Sequence, residues 1–265
     1  VTHPSADPTA VLETLAGHGE RYRLEAGLNP EEDWIAADRL LDPTSTELTQ
    51  VLEAERVGSG QVSAHAVALT VMAVYAGTVT APALLAWALY GVVLDVRPEN
   101  VALRLGDHGF KAVALRRPRL VDVSGMTGDE RLGLLVKQVL DDHLFPLADA
   151  MRVCSRAGRR QLHGGIAQGC AAAFSAASRS SGAEVDVLQR AYDEFLAACP
   201  QELGRLGEMI RLAEGGREGL FYLRRTCCLF YTADHGEKCA SCCLDSVEDR
   251  VTNYRRILAG GAIPH

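Results

Sequence analysis

The chain reads as an α+β protein, mostly helical, with a small antiparallel β-sheet and a cysteine-rich C-terminal segment. Three observations point that way. Apolar residues recur at helical spacing through most of the 265 residues. The period changes to alternation around 101–115, where Val101-Ala102-Leu103-Arg104-Leu105 and Phe110-Lys111-Ala112-Val113-Ala114-Leu115 flank Gly106-Asp107-His108-Gly109 as in a β-hairpin. Five of the eight cysteines crowd between Cys227 and Cys243.

Taken in order, Ala10 to Ala16 puts Val11, Leu12 and Leu15 on one helical face. Asn29-Pro30-Glu31-Glu32 is expected to open a helix carrying Trp34, Ile35, Leu40 and Leu41, and a third helix starts at Thr44 or Ser45 and fades at Gly58-Ser59-Gly60. From Ser63 to Leu94 the only ionisable side chain of Asp, Glu, Lys, Arg or His type is His65, and the run is long enough to cross a bilayer. Thr80 as a cap and Pro82 in a first turn divide it into two helices, a buried helical hairpin, and flanking basic anchors are missing. Membrane contact is therefore not the expectation.

Val121-Asp122-Val123 adds a short strand. Helix then returns at Asp129 to His143 and Leu147 to Arg156, with Pro146 as a break or kink between them. A small-residue helix runs from Arg159 through Phe174, and its Gly164 and Gly165 suit either close helix packing or a ligand. Val185 to Cys199 is amphipathic, Glu214 to Gly219 is a flexible bend, Leu220 to Arg225 is extended, and Asp245 to Leu258 closes the chain as a helix.

Net charge is −7, which argues against nucleic acid as the main partner, because phosphate binding needs a concentrated basic surface. The start, Val1-Thr2-His3-Pro4-Ser5, carries neither a basic nor an apolar run, so a cytoplasmic location is expected. In a reducing compartment eight cysteines are not a disulfide framework. Cys154, Cys170 and Cys199 read as buried small hydrophobes.

The C-terminal group spaces as Cys227-Cys228, ten residues, Cys239, two residues, Cys242. A zinc ribbon usually offers two Cys-x-x-Cys knuckles, whereas here an adjacent pair stands at the front. Side chains of adjacent strand residues point to opposite faces, so both thiols reach one centre only where the chain turns sharply. A two-iron centre spreads four thiolates over two metals and suits a splayed pair better than one tetrahedral ion. His235 could replace a thiolate, and Cys243 is a spare ligand, a redox-sensitive thiol or a buried neighbour. No Gly-x-Gly-x-x-Gly follows a strand, so the chain shows no dinucleotide site.

Leu223-Arg224-Arg225-Thr226-Cys227-Cys228-Leu229-Phe230-Tyr231, followed by Lys238-Cys239-Ala240-Ser241-Cys242, resembles the C-terminal signature of FhuF-type ferric-siderophore reductases. Upstream, Leu84 to Val96, Arg97-Pro98-Glu99-Asn100-Val101 and the hairpin resemble the family's layout. The resemblance implies a [2Fe-2S] cluster on Cys227, Cys228, Cys239 and Cys242. It implies one-electron reduction of siderophore-bound Fe(III), with the hydroxamate class favoured, and an external electron donor such as a ferredoxin or reductase. Residues 1–219 would form a mainly helical siderophore-docking domain and 220–265 the cluster-binding segment. Arg224 and Arg225 beside the ligands, with Arg159 and His163 on the glycine-bearing helix, are the candidate substrate-binding residues. The rival readings are a structural zinc protein and an iron–sulfur sensor or siderophore carrier without reductase activity.

Overall fold

The computed structural model describes residues 7–106, 109–180, 182–234 and 236–260. Helix α1 (Pro8–Ala16) leads through a 3-10 turn to strands β1 (Glu25–Ala26) and β2 (Ile35–Ala36), then to α2 (Thr46–Ser59) and the long α3 (Ala64–Tyr90). The hairpin β3 (Val101–Gly106) and β4 (Gly109–Leu115) follows; Asp107 and His108 of its turn lie outside the described residues. Helices α4 (Gly128–Val136), α5 (Phe145–Ser155), α6 (Arg159–Ser180), α7 (Val185–Ala198) and α8 (Gln201–Gly204) come next. The chain ends in a second hairpin, β5 (Gly207–Glu214) and β6 (Arg217–Arg224), and in α9 (Val247–Leu258).

Local chemistry sets many of these boundaries. The Ser45 hydroxyl caps α2 by accepting from Leu48 N at 3.1 Å, and Thr127 with Glu130 forms a capping box on α4. Ser246 caps α9, whose first turn holds Glu248 and Asp249 and whose last turn holds Arg255 and Arg256, matching the helix dipole at both ends.

Four expected elements differ. The 63–94 run is a single helix rather than a hairpin, with Pro82 inside it. Breaking the chain at Pro82, which is fully enclosed, would strand several backbone groups in the core, whereas continuing forfeits one helical hydrogen bond. This helix is long and apolar enough to cross a membrane, yet 83% of its most apolar stretch is buried inside the fold. The helix expected from Asn29 is instead a turn, with the Asn29 side chain accepting from Glu31 N at 3.1 Å; Ile35 and Ala36 then pair with Leu103 and Ala102 of β3. Val121 to Val123 forms no strand, only a bridge between Leu94 and Leu120. The bend at Glu214 to Gly219 is the tip of the β5–β6 hairpin, where Gly215 (φ 57°) and Gly216 (φ 76°) supply the left-handed pair that such a turn requires.

At Pro146 the helix neither breaks nor stops. Residues Lys137–Leu144 widen into a π-helical segment, Phe145 N–H reaching back to Leu140 O, and this carries the proline ring into α5. Cys170 and Cys199 are buried as expected, but Cys154 is exposed on α5. The first sheet has the order β1-β4-β3-β2 and is mixed, since the two-residue β1 runs parallel to β4.

The core is built on the α3–α6 crossing. A Cβ at Gly169 would stand 2.6 Å from Gly77 N, so glycine is required for this backbone approach. Gly165 lies similarly against Ala73. On its other side α6 is stitched to β6: Ser175 Oγ donates to Leu220 O at 2.7 Å and Leu220 N donates to Ser178 Oγ at 2.9 Å. Leu220 and Tyr222 of β6 join the main core, while Phe221 and Leu223 join a smaller cluster with Ala240, Tyr254 and Leu258. Strand alternation thus makes β6 the wall between the helical body and the C-terminal segment. This strand runs across residues 219 and 220.

Candidate iron–sulfur site

The cysteine segment leaves β6 at Arg224 and is held on three sides. Tyr254 stacks on Phe221 with ring centroids 4.6 Å apart and donates from its hydroxyl to Tyr222 O at 2.8 Å. Such a buried hydrogen bond contributes about 1 kcal/mol. Arg250, also on α9, donates from Nη1 to Arg224 O at 2.9 Å. On the opposite side, Asp234 N donates to Ser59 O at 2.8 Å, tying the segment to the α2–α3 junction. Against α6, Thr226 occupies the space that a side chain at Gly164 would fill.

The turn that the adjacent cysteines need is present. Leu229 has φ 58°, a left-handed conformation that costs an ordinary residue roughly 1–2 kcal/mol, and the 3-10 turn Phe230–Thr232 follows at once. The second half is a tight knuckle: Cys242 N donates to Cys239 O at 2.9 Å, and the Lys238–Asp245 ion pair at 2.7 Å clasps its ends. The thiols of Cys227, Cys228, Cys239, Cys242 and Cys243 consequently line one pocket, with Arg224 and Thr226 in its wall.

Sulfur here meets donors two residues on. Leu229 N–H donates to Cys227 Sγ at 3.4 Å, Leu244 N–H bonds to Cys242, and Ser241 Oγ lies 3.3 Å from Cys239 Sγ. Burial pushes the Cys242 thiol up, opposed by the Leu244 amide and reinforced by Cys239, Asp245 and Cys227. Burial likewise raises Cys243, with Cys227 beside it adding to the rise and Arg224 opposing. Among the described residues no group of three or more His, Cys, Asp or Glu side chains forms a single-ion metal site. Thiols spread around a pocket, with donors beside Cys227, Cys239 and Cys242, fit a two-metal cluster better than a lone tetrahedral ion.

The candidate substrate residues separate. Arg224 is 5% exposed, and its Nε donates to Thr226 O at 2.8 Å. Arg225 is at the surface, paired with Glu208 at 2.7 Å. Arg159 is exposed and pairs with Glu202 at 3.7 Å. His163 is buried and stacks on Phe145 at 4.9 Å; burial, with Arg159 nearby, lowers its pKa against Glu202 and Asp149. Of these four, only Arg224 lines the cysteine pocket. His235 lies outside the described residues.

Two features had no distinct signal in the sequence. Phe230 and Tyr231 line the same pocket at 40% and 39% exposure, an apolar rim facing solvent. Thr226 is buried, and its hydroxyl has no hydrogen-bond partner.

A mostly helical α+β body with a pocket lined by five cysteines fits an iron–sulfur protein. Residues 71–212, more than half of the chain, match the family model described as a ferric iron reductase FhuF-like transporter, and residues 224–244 match the FhuF 2Fe-2S C-terminal domain. The chain belongs to the FhuF-like ferric iron reductase family and carries a [2Fe-2S] cluster. No individually curated protein matches it.

Proposed function

We propose that the protein is a ferric-siderophore reductase that releases iron by one-electron reduction of siderophore-bound Fe(III), with Cys227, Cys228, Cys239 and Cys242 as the cluster ligands. The observation that carries this reading is the shallow placement of the thiol pocket, rimmed by the half-exposed rings of Phe230 and Tyr231. A [2Fe-2S] cluster bound there supplies a single electron. The four thiolates hold it, the Leu229 and Leu244 amides support two of them, and the aromatic rim offers a ferric complex an apolar surface within reach. Siderophores grip Fe(III) through hard oxygen donors, and the softer, less charged Fe(II) leaves them more readily.

A hydroxamate is the favoured substrate class. The electron comes from an external donor such as a ferredoxin or reductase, and the work is done in the reducing cytoplasm. The test is to reduce the protein without oxygen and mix it with increasing ferric hydroxamate while following the visible spectrum. Reoxidation at a rate that saturates with ferric complex supports the reading. A reduced spectrum that persists at every concentration would sink it.

A further inference from the structure

Two buried polar groups stand unpaired beside the cysteines: Arg224 Nη2 and Thr226 Oγ1. Each residue is 5% exposed, and each lines the thiol pocket. Leaving such a group unsatisfied costs about 1–3 kcal/mol, more for a charged one, so an orphaned pair at one place marks a missing acceptor. Other partners are already fixed. Arg224 Nε is committed to Thr226 O, which orients the guanidinium, and Arg250 holds the Arg224 backbone carbonyl. Among the described residues no carboxylate pairs with Arg224. The Thr226 side chain is pressed against Gly164 of α6, with Oγ1 its nearest atom, and the residue also lines the thiol pocket.

We propose that Arg224 and Thr226 are positioning residues whose free Nη2 and Oγ1 donate to sulfur atoms of the bound cluster and raise its reduction potential. This rests on the reading that Cys227, Cys228, Cys239 and Cys242 hold the cluster. Donors aimed at sulfur, and a buried positive charge, both favour the more negative, reduced state. Arg224 on this view serves the electron centre rather than the siderophore. Its burial explains why: a residue 5% exposed has little surface to offer a docking ligand.

The test is redox titration of the loaded protein and of Thr226→Val, Thr226→Ser and Arg224→Lys, with iron and sulfide measured in each. Valine puts a methyl where Oγ1 packs against Gly164 and so removes the donor at nearly constant shape. Thr226→Val and Arg224→Lys should load normally and show lower potentials, the one-electron equilibrium constant falling several-fold, where about tenfold corresponds to about 59 mV. Thr226→Ser should keep the wild-type value. Unchanged potentials in fully loaded Thr226→Val and Arg224→Lys would overturn the proposal and leave water as the acceptor. Loss of the cluster from Thr226→Val but not Thr226→Ser would overturn it too, by making the hydroxyl a requirement for assembly. Should Arg224→Lys not fold, the threonine pair decides alone. Absence of a cluster from the wild-type protein would instead defeat the ligand assignment itself.

Discussion

Replacing Gly164 with alanine should cost stability and loosen the cluster segment, although alanine is the better helix former. The added Cβ would overlap Oγ1, Cβ and Cγ2 of Thr226, whose side chain is buried. Overpacking of this kind costs about 1–3 kcal/mol, against a gain of about 1 kcal/mol in helix propensity. The overlap takes in three atoms of a buried side chain, so the upper half of that range applies, leaving a net loss of about 1–2 kcal/mol and a fall in Tm of roughly 2–8 °C for a chain of this size. Because Thr226 directly precedes Cys227, bleaching of the visible absorption in air should also quicken. Gly165→Ala provides the contrast: its Cβ would come 3.2 Å from Ala73 N, tight but relievable, so its effect should be smaller. In a Thr226→Gly background the Gly164→Ala penalty should vanish, a coupling of about 1 kcal/mol or more. Equal losses in both backgrounds, or a neutral Gly164→Ala, would refute the proposition that this glycine exists to seat the cysteine loop.

Cys228→Ser should lower iron and sulfide content markedly, while Cys243→Ser should leave both, and the spectrum, unchanged; the opposite pattern would transfer a ligand role to Cys243. Stability should also depend on pH through His143, which is fully buried with Nδ1 2.9 Å from Val96 O and Nε2 2.6 Å from the Tyr75 hydroxyl. Burial lowers its pKa from 6.5 to about 4. The unfolded chain therefore takes up a proton that the folded protein refuses. The contribution is full above the unfolded value and is lost as pH falls from there through the folded one, about 3 kcal/mol in all. Denaturation curves from neutral pH down to that limit should be flatter for His143→Gln than for the wild type, and parallel curves would contradict the assignment.

Where a structural signal is local, it was legible in the sequence. The adjacent cysteines demanded a turn, and Leu229 provides it; the helix expected to start at Thr44 or Ser45 does so, with the Ser45 side chain as its cap. Tertiary context decided the rest. Helix α3 is apolar around almost its whole circumference, even its exposed position Val74, so it has no polar face to reveal one continuous element, and Pro82 reads as a break only when packing is ignored. Ile35 and Ala36 are strand because β3 lies beside them, a neighbour more than sixty residues away. The glycines of α6 fitted either packing or a ligand, and the structure assigns Gly165 and Gly169 to α3 and Gly164 to Thr226. Likewise, nothing in Arg224-Arg225 foretold that one side chain would be enclosed beside the thiols and its neighbour paired outward with Glu208.

The central claim is that an electron held at the C-terminal thiols passes to siderophore-bound iron. The most direct measurement is a single turnover, in which the anaerobically reduced protein is mixed with excess ferric hydroxamate and an Fe(II) chelator and the trapped ion is counted against chains. One Fe(II) for each cluster reoxidised is the expected result, with none from Cys228→Ser. Reoxidation without Fe(II), or no reoxidation at all, would contradict it.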